Sequence, residues 1–121
     1  MLKLSKRTGR TNFPVKSIAA KMVDEVYAHS AWKEESSLIE IQTLLSGHAP
    51  YTIVLSSGMD KHHFFLSYVD STCVVKHKNI RILRVQGSWI FKNGSGYVSN
   101  DINELIPHCL KCSAVRCKPL A

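Results

Sequence analysis

Long apolar runs are missing from this chain of 121 residues. No stretch approaches the ~20 consecutive apolar residues that a membrane-spanning helix needs. The N-terminus is basic, but it lacks the apolar segment of roughly 7–15 residues that a secretory signal contains. The sequence therefore predicts a single cytoplasmic domain, large enough to form one hydrophobic core, with no membrane span.

Catalytic and metal-binding patterns are also missing. No Gly-rich phosphate loop precedes a helix, and no spacing among the six His and four Cys residues pairs a nucleophile with a base. Cys109 and Cys112, beside His108 and Cys117, have a zinc-like spacing, but no second pair matches it and it falls on a predicted helix. We expect no enzyme, no metal and no cofactor, with the thiols reduced and Cys73 buried in a strand.

Acidic residues are absent from residues 1–22, which hold six of the 16 basic residues: Lys3, Lys6, Arg7, Arg10, Lys16 and Lys21. The rest of the chain has ten basic and nine acidic residues, so the domain itself is nearly neutral. The net charge of +7 therefore belongs mainly to an arm, predicted to be flexible over residues 1–13. This argues against nucleic acid as a partner of the fold. Binding of nucleic acid or an acidic surface through the arm stays an alternative.

Helical patterns predict three helices. The first spans residues 14–30, starts near Asn12 or Pro14 and has an apolar stripe of Ile18, Met22 and Val26. Ser37 and Glu40 form a capping box at the start of the second, which ends at Gly47. Ser99 or Asn100 caps the last, whose buried stripe is Ile102, Leu105, Ile106 and Cys109.

Residues 50–83 predict a three-stranded antiparallel meander, because three runs rich in β-branched and aromatic residues are separated by polar turns at 58–60 and 70–72. Asn93-Gly94 predicts a small hairpin after it. Val115 to Leu120 predicts a short closing strand. The fold class is α+β, with a central antiparallel sheet flanked by two helices and an extra N-terminal helix. The predicted boundaries are 1–13, 14–30 and 31–121.

Small hydroxyls and free amides lie in the first turn of the meander, opposite cationic side chains on the third strand. The residues concerned are Ser56, Ser57, Gly58 and Lys61 in the turn region and Lys76, His77 and Lys78 on the strand. Such groups form a candidate oxyanion site. The same residues also fit a solvated hairpin end.

The order of elements and several local patterns resemble the Src homology 2 (SH2) family, a phosphotyrosine-peptide-binding module. The similarity covers about Trp32 to Leu120, and its parts are these: Trp32; Leu44-Leu45-Ser46-Gly47; Thr52-Ile-Val-Leu-Ser-Ser57; Phe65-Leu-Ser-Tyr-Val69; Val75-Lys-His-Lys-Asn-Ile-Arg81; and Asp101-Ile-Asn-Glu-Leu-Ile-Pro-His108. The resemblance implies a protein-interaction module whose partner is a tyrosine-phosphorylated protein or peptide. It implies a phosphate end formed by Ser56, Ser57, Gly58, Lys61, His77 and Lys78.

The chain departs from the family at the arginine that grips phosphate. The best register places Leu55 at that position, and a slip of one residue places Ser56 there. No arginine occurs between Arg10 and Arg81. The basic residue that the family has at the start of its first helix is also absent. An SH2-like fold without phosphate recognition, either structural or binding a protein independently of phosphorylation, is therefore an alternative.

Overall fold

The computed structural model describes residues 17–34, 36–111 and 116–120. The helices are α1 (Ile18–Tyr27), α2 (Leu38–Leu45) and α3 (Ile102–Leu110). The strands are β1 (Thr52–Ser57), β2 (His63–Val69), β3 (Val75–Val85), β4 (Ser88–Asn93), β5 (Val98–Ser99) and β6 (Lys118–Pro119).

The strands form one six-stranded sheet in the order β5-β4-β3-β2-β1-β6. All neighbours are antiparallel except β1 and β6, which pair in parallel. The predicted meander, the hairpin around Asn93-Gly94 and the closing strand are all present. The α+β fold class, with a sheet between helices and an additional N-terminal helix, is confirmed.

The sheet separates two hydrophobic clusters, which define its two faces. The core face packs against α1 and α3, and its cluster includes Leu55, Leu66, Ile80 and Ile82. The opposite face, called the α2 face, has a smaller cluster of Ile41, Leu45, Val54 and Val69. Because side chains alternate along a strand, each strand residue can be assigned to one face.

Helix α1 packs through two of the three residues of the predicted stripe. Met22 and Val26 are buried as predicted, whereas Ile18 is 61% exposed and Ala19 is buried instead. Ser17 caps the helix by accepting a hydrogen bond from the Ala20 amide. The start predicted near Asn12 or Pro14 lies outside the described residues.

Polar side chains cap the N-termini of the other two helices. The capping box of Ser37 and Glu40 at α2 is confirmed, with both reciprocal hydrogen bonds formed. The predicted cap of α3 is wrong, because Asp101 accepts the Asn103 amide at 2.9 Å. Ser99 belongs to β5, and its hydroxyl donates to Glu104 instead.

Cys73 is a second correction, since it is exposed in the turn between β2 and β3 with a φ of 67°. The carboxylate of Asp70 organises this turn by accepting the amides of Thr72 and Val74. The Thr72 hydroxyl also donates to this carboxylate, at 2.7 Å, and is the first cause of a strongly lowered pKa of Asp70, to which the Val74 amide and the Lys76 ammonium at 3.1 Å contribute. The apolar residues around Cys73 favour a strand, but the hydrogen bonds to Asp70 hold this segment in a turn instead.

Candidate functional site

Strand β1 places Leu55 and Ser56 on opposite faces of the sheet. Leu55 is fully buried in the core-face cluster, so an arginine at this position would place its charge in the main core. Ser56 lies on the α2 face, is also fully buried, and has a hydroxyl with no hydrogen-bond partner among the described residues. Of the two registers that the sequence left open, only the slipped one puts its residue on the α2 face.

Strands β2 and β3 carry a polar row on the α2 face beside Ser56. The Ser67 hydroxyl and Nδ1 of His77 are hydrogen-bonded at 2.6 Å, and Nε2 of His63 contacts Oδ1 of Asn79 at 2.7 Å. Burial lowers the pKa of His77, so its imidazole is neutral at pH 7. This part of the α2 face is therefore polar, and the His77 imidazole adds no charge to it.

The first half of β3 has an open edge. Strand β2 pairs with residues 75–81, but β4 pairs only with Ile80–Val85. No described strand covers the outer side of residues 75–79. A depression of about 330 Å³ lies at this edge and is lined by His77, Lys78, Asn79, Gly94 and Ser95. Two of the predicted site residues, His77 and Lys78, are brought together there.

His77 and Lys78 reach this depression from different faces. His77 belongs to the α2 face with Ser67, whereas Lys78 pairs with Leu66 on the core face. Burial raises the pKa of the Cys109 thiol, and the hydrogen bond from Asn93 and the charge of Lys78 offset part of that rise. A ligand that crosses the edge therefore passes between an imidazole and an ammonium group.

The other predicted site residues lie at the end of β1 and in the turn that follows it. Ser57 and Lys61 are exposed, and Gly58 is hydrogen-bonded through its amide to the His63 carbonyl at 2.9 Å. Strand β2 lies between β1 and β3, so Ser56 and Ser57 are roughly two inter-strand spacings, or about 10 Å, from β3. The turn itself reaches the far half of β3, where the His62 carbonyl accepts the Ile82 amide at 2.9 Å. The structure thus places the predicted residues in two groups rather than one.

Sequence reasoning missed a second depression, of about 340 Å³, between β3 and β4 on the α2 face. It is lined by Asn79, Arg81, Leu83, Lys92, Asn93 and Gly94. Arg81 and Lys92 are direct cross-strand partners. The only signal in the sequence was the hairpin register across Gln86 and Gly87, which determines that pairing.

Asp60, in the β1–β2 turn, contacts one residue that lines this second depression, because its carboxylate is 3.3 Å from the Arg81 guanidinium. The pKa of Asp60 is lowered, first by the hydrogen bond from the His62 amide and then by Arg81. The pair is about half exposed on both sides, which makes it a weak interaction.

The cysteine-rich C-terminal region forms no described metal site. Cys112 lies outside the described residues, and the described residues contain no group of three His, Cys, Asp or Glu side chains that could hold a metal ion. Cys73 and Cys109 form no disulfide bond among the described residues. No described helix is long and apolar enough to cross a membrane.

The element order, the sheet and the flanking helices define an SH2-like fold. Among solved structures, the chain is similar to CED-2, with a TM-score of 0.56 and 18% sequence identity. The likeness covers 71% of this chain and 54% of that chain, so the chain spans about half the length of CED-2. At this identity the likeness shows the fold alone. No protein-family model matches the chain, and the comparison with curated proteins gives no match.

Proposed function

We propose that this chain is a protein-interaction module that binds an extended segment of a partner protein at the open edge of β3. The observation that carries the proposal is the depression of about 330 Å³ beside residues 75–79, where β3 has no described neighbour on its outer side. The unpaired backbone groups of such an edge can hydrogen-bond an extended peptide, and pockets beside it can hold side chains.

The charge of β3 favours an anionic segment. The strand contains Lys76, Lys78, Arg81 and Arg84 and no acidic residue. Lys76 is already paired with Asp70, whereas Lys78 has no ion pair with any described carboxylate. We assign the anion to a phosphotyrosine because the fold is SH2-like and a phosphate ester carries nearly two negative charges at pH 7.

The phosphate end of the proposed site combines the two groups of predicted residues. His77 and Lys78 flank the edge, and Lys61 approaches with the Ser57 hydroxyl and the backbone around Gly58 from the β1–β2 turn. Lysine acts here as a point charge without the bidentate geometry of a guanidinium. The Ser56 hydroxyl is the one proposed contact that needs the turn to move, because Ser56 is fully buried.

The test is a calorimetric titration with a phosphotyrosine peptide and its unphosphorylated twin. The unmodified chain should bind the phosphopeptide at least tenfold more tightly. Lys78→Gln and Lys61→Gln should each weaken phosphopeptide binding by about tenfold, since a hydrogen bond to a charged group contributes roughly 1.5–3 kcal/mol. Arg84→Gln is the matched control, because Arg84 is an exposed cation on β3 that pairs with Trp89 away from the depression.

One observation favours a second candidate, which is peptide binding without phosphate recognition. Strand β1 presents the uncharged Ser56 to the α2 face and buries Leu55 on the other, so β1 offers no guanidinium to a phosphate. Equal affinity of the unmodified chain for both peptides would support this candidate and reject the phosphotyrosine assignment. Binding of neither peptide class would reject the interaction site at the β3 edge.

A further inference from the structure

We infer that the depression between β3 and β4 on the α2 face is a second anion-binding site, which takes a carboxylate or phosphoryl group of the partner segment. The inference rests on the proposed function, because the segment at the β3 edge delivers the anion. It names three residues outside the predicted site: Asn79, Arg81 and Lys92.

The first argument is the pairing of two cations. Arg81 and Lys92 are directly opposite each other in the antiparallel pair of β3 and β4. Directly opposite residues have Cβ atoms roughly 4.5–5.5 Å apart, and like charges at this separation repel. An oxyanion placed between them replaces that repulsion with two attractions. Both side chains line the same depression of about 340 Å³, which is large enough to admit such a group.

The second argument is the orientation of the Asn79 amide. Nδ1 of His63 accepts a hydrogen bond from the Met59 amide at 2.8 Å, so the ring proton is on Nε2. Nε2 therefore donates to Oδ1 of Asn79, at 2.7 Å. This leaves the NH2 group of Asn79 as the part that is available to a ligand. The depression thus offers a neutral donor next to the two cations.

The third argument is the balance of charge around Arg81. Asp60 is the carboxylate that contacts Arg81, through one oxygen and at 3.3 Å. Arg81 has further N–H groups that this single contact does not use. An anionic ligand therefore competes with Asp60 only in part, and removal of the Asp60 charge should strengthen ligand binding.

The fourth argument is continuity with the β3 edge. The two depressions share Asn79 and Gly94 as lining residues. A partner segment held at the edge by His77 and Lys78 can therefore extend into the second depression without leaving the protein surface. The segment would carry two anionic groups, one for each depression.

The site is tested first with inorganic phosphate, added to the isotopically labelled full chain and monitored by NMR. Saturable shifts are expected for the Arg81 Nε–H and the Asn79 side-chain NH2, beyond those caused by sodium chloride at equal ionic strength. The double variant Arg81→Gln, Lys92→Gln should lose these shifts at Asn79, and Arg84→Gln should retain them. Equal shifts in sodium chloride, or shifts that persist at Asn79 in the double variant, would overturn the inference.

Peptides then show whether the anion belongs to the partner segment. A phosphopeptide with a second acidic residue should bind more tightly than its Gln twin, and the double variant should lose that advantage, by about tenfold. Asp60→Asn should raise the affinity for the acidic peptide by about two- to fivefold. If the two peptides bind equally while the β3 edge still responds, the second site is wrong and the proposed function stands. If no peptide binds, the proposed function fails and the assignment to a partner segment fails with it.

Discussion

At the scale of single residues, Gly58 is the position where the candidate site depends on a missing side chain. The Gly58 amide is bonded to the His63 carbonyl, and the next amide, Met59, is bonded to the His63 ring. A Cβ atom at Gly58 would lie 2.5 Å from both the ring Nδ1 and the carbonyl oxygen of His63. The glycine therefore permits the close approach that fixes the His63 tautomer and, through it, the Asn79 amide.

Gly58→Ala is expected to destabilise the domain by about 1–3 kcal/mol, because the added methyl group forces the turn away from His63. Urea denaturation measures the change. Gly94→Ala is the control, since a Cβ atom there meets no atom within 4 Å. Gly58→Ala should also alter the NMR signal of the Asn79 side-chain amide. An unchanged signal in Gly58→Ala would contradict the described link from the turn to Asn79.

Single residues also mark the limit of sequence reasoning about this site. The choice between Leu55 and Ser56 at the family's arginine position could not be made from the sequence, because a shift of one residue exchanges the two faces of a strand. The pairing of β1 with β2, and the burial of Leu55 against α1 and α3, show which face of the sheet each of the two residues occupies.

At the scale of elements, α1 forms part of the same core as the SH2-like sheet. Met22 and Val26 lie in the core-face cluster with residues of β1, β2 and β3. The Tyr27 ring extends this contact, with its centroid 4.8 Å from that of Trp32. We therefore expect α1 to contribute to the stability of the sheet, although the boundaries predicted from the sequence place this helix outside the SH2-like segment 31–121.

Met22→Ala is expected to lower the free energy of unfolding by about 2–5 kcal/mol, because it leaves a cavity between α1 and the sheet. Ile18→Ala is the matched control on the same helix, and its side chain is mostly exposed, so its effect should stay within about 0.5 kcal/mol. Thermal and urea denaturation of both variants measure the difference. Similar, small effects would mean that α1 does not share the core.

The elements themselves were largely predictable, because their signals are local. The Ser37–Glu40 capping box, the Asn93-Gly94 turn and the strand runs each act within a few residues of the chain. The misplaced features were those where two local signals compete. Ser99 can cap a helix, but it lies in β5 and pairs with Phe91 of β4, and Asp101 caps the helix instead. Cys73 sits among strand-forming residues, but Asp70 holds it in a turn.

At the scale of the whole molecule, the candidate site follows from the order of strands in the sheet. Among the described strands, the edge of β3 is open because β4 is shorter than β3 and pairs with its second half only. The Arg81–Lys92 pair forms by that same pairing, and His63 reaches Asn79 across the pairing of β2 with β3. These are contacts between strands that are distant in the sequence, so no short window of the sequence displays them. The sequence could therefore indicate a candidate oxyanion site, but not all of the residues that line the two depressions.

The distribution of charge over the whole chain gives the last prediction. Residues 1–11 hold four basic residues and no acid, so their removal lowers the formal net charge from +7 to +3. Their charge attracts any anionic partner over a distance set by salt, which is about 8 Å at physiological ionic strength. It should therefore raise the association rate at low salt more than the affinity.

A chain that begins at residue 12 should keep its melting temperature within a few degrees, and its phosphopeptide affinity at about 150 mM salt should be unchanged, since the contacts we propose lie on β3 and the β1–β2 turn. Stopped-flow mixing should show slower association at low salt. The full-length variant with Lys3, Lys6, Arg7 and Arg10 all changed to Gln is the control, and it should behave in the same way. If truncation instead abolishes binding, and the affinity of the intact chain falls steeply with salt, the partner is held by the arm, as expected of a nucleic-acid or acidic-surface binder.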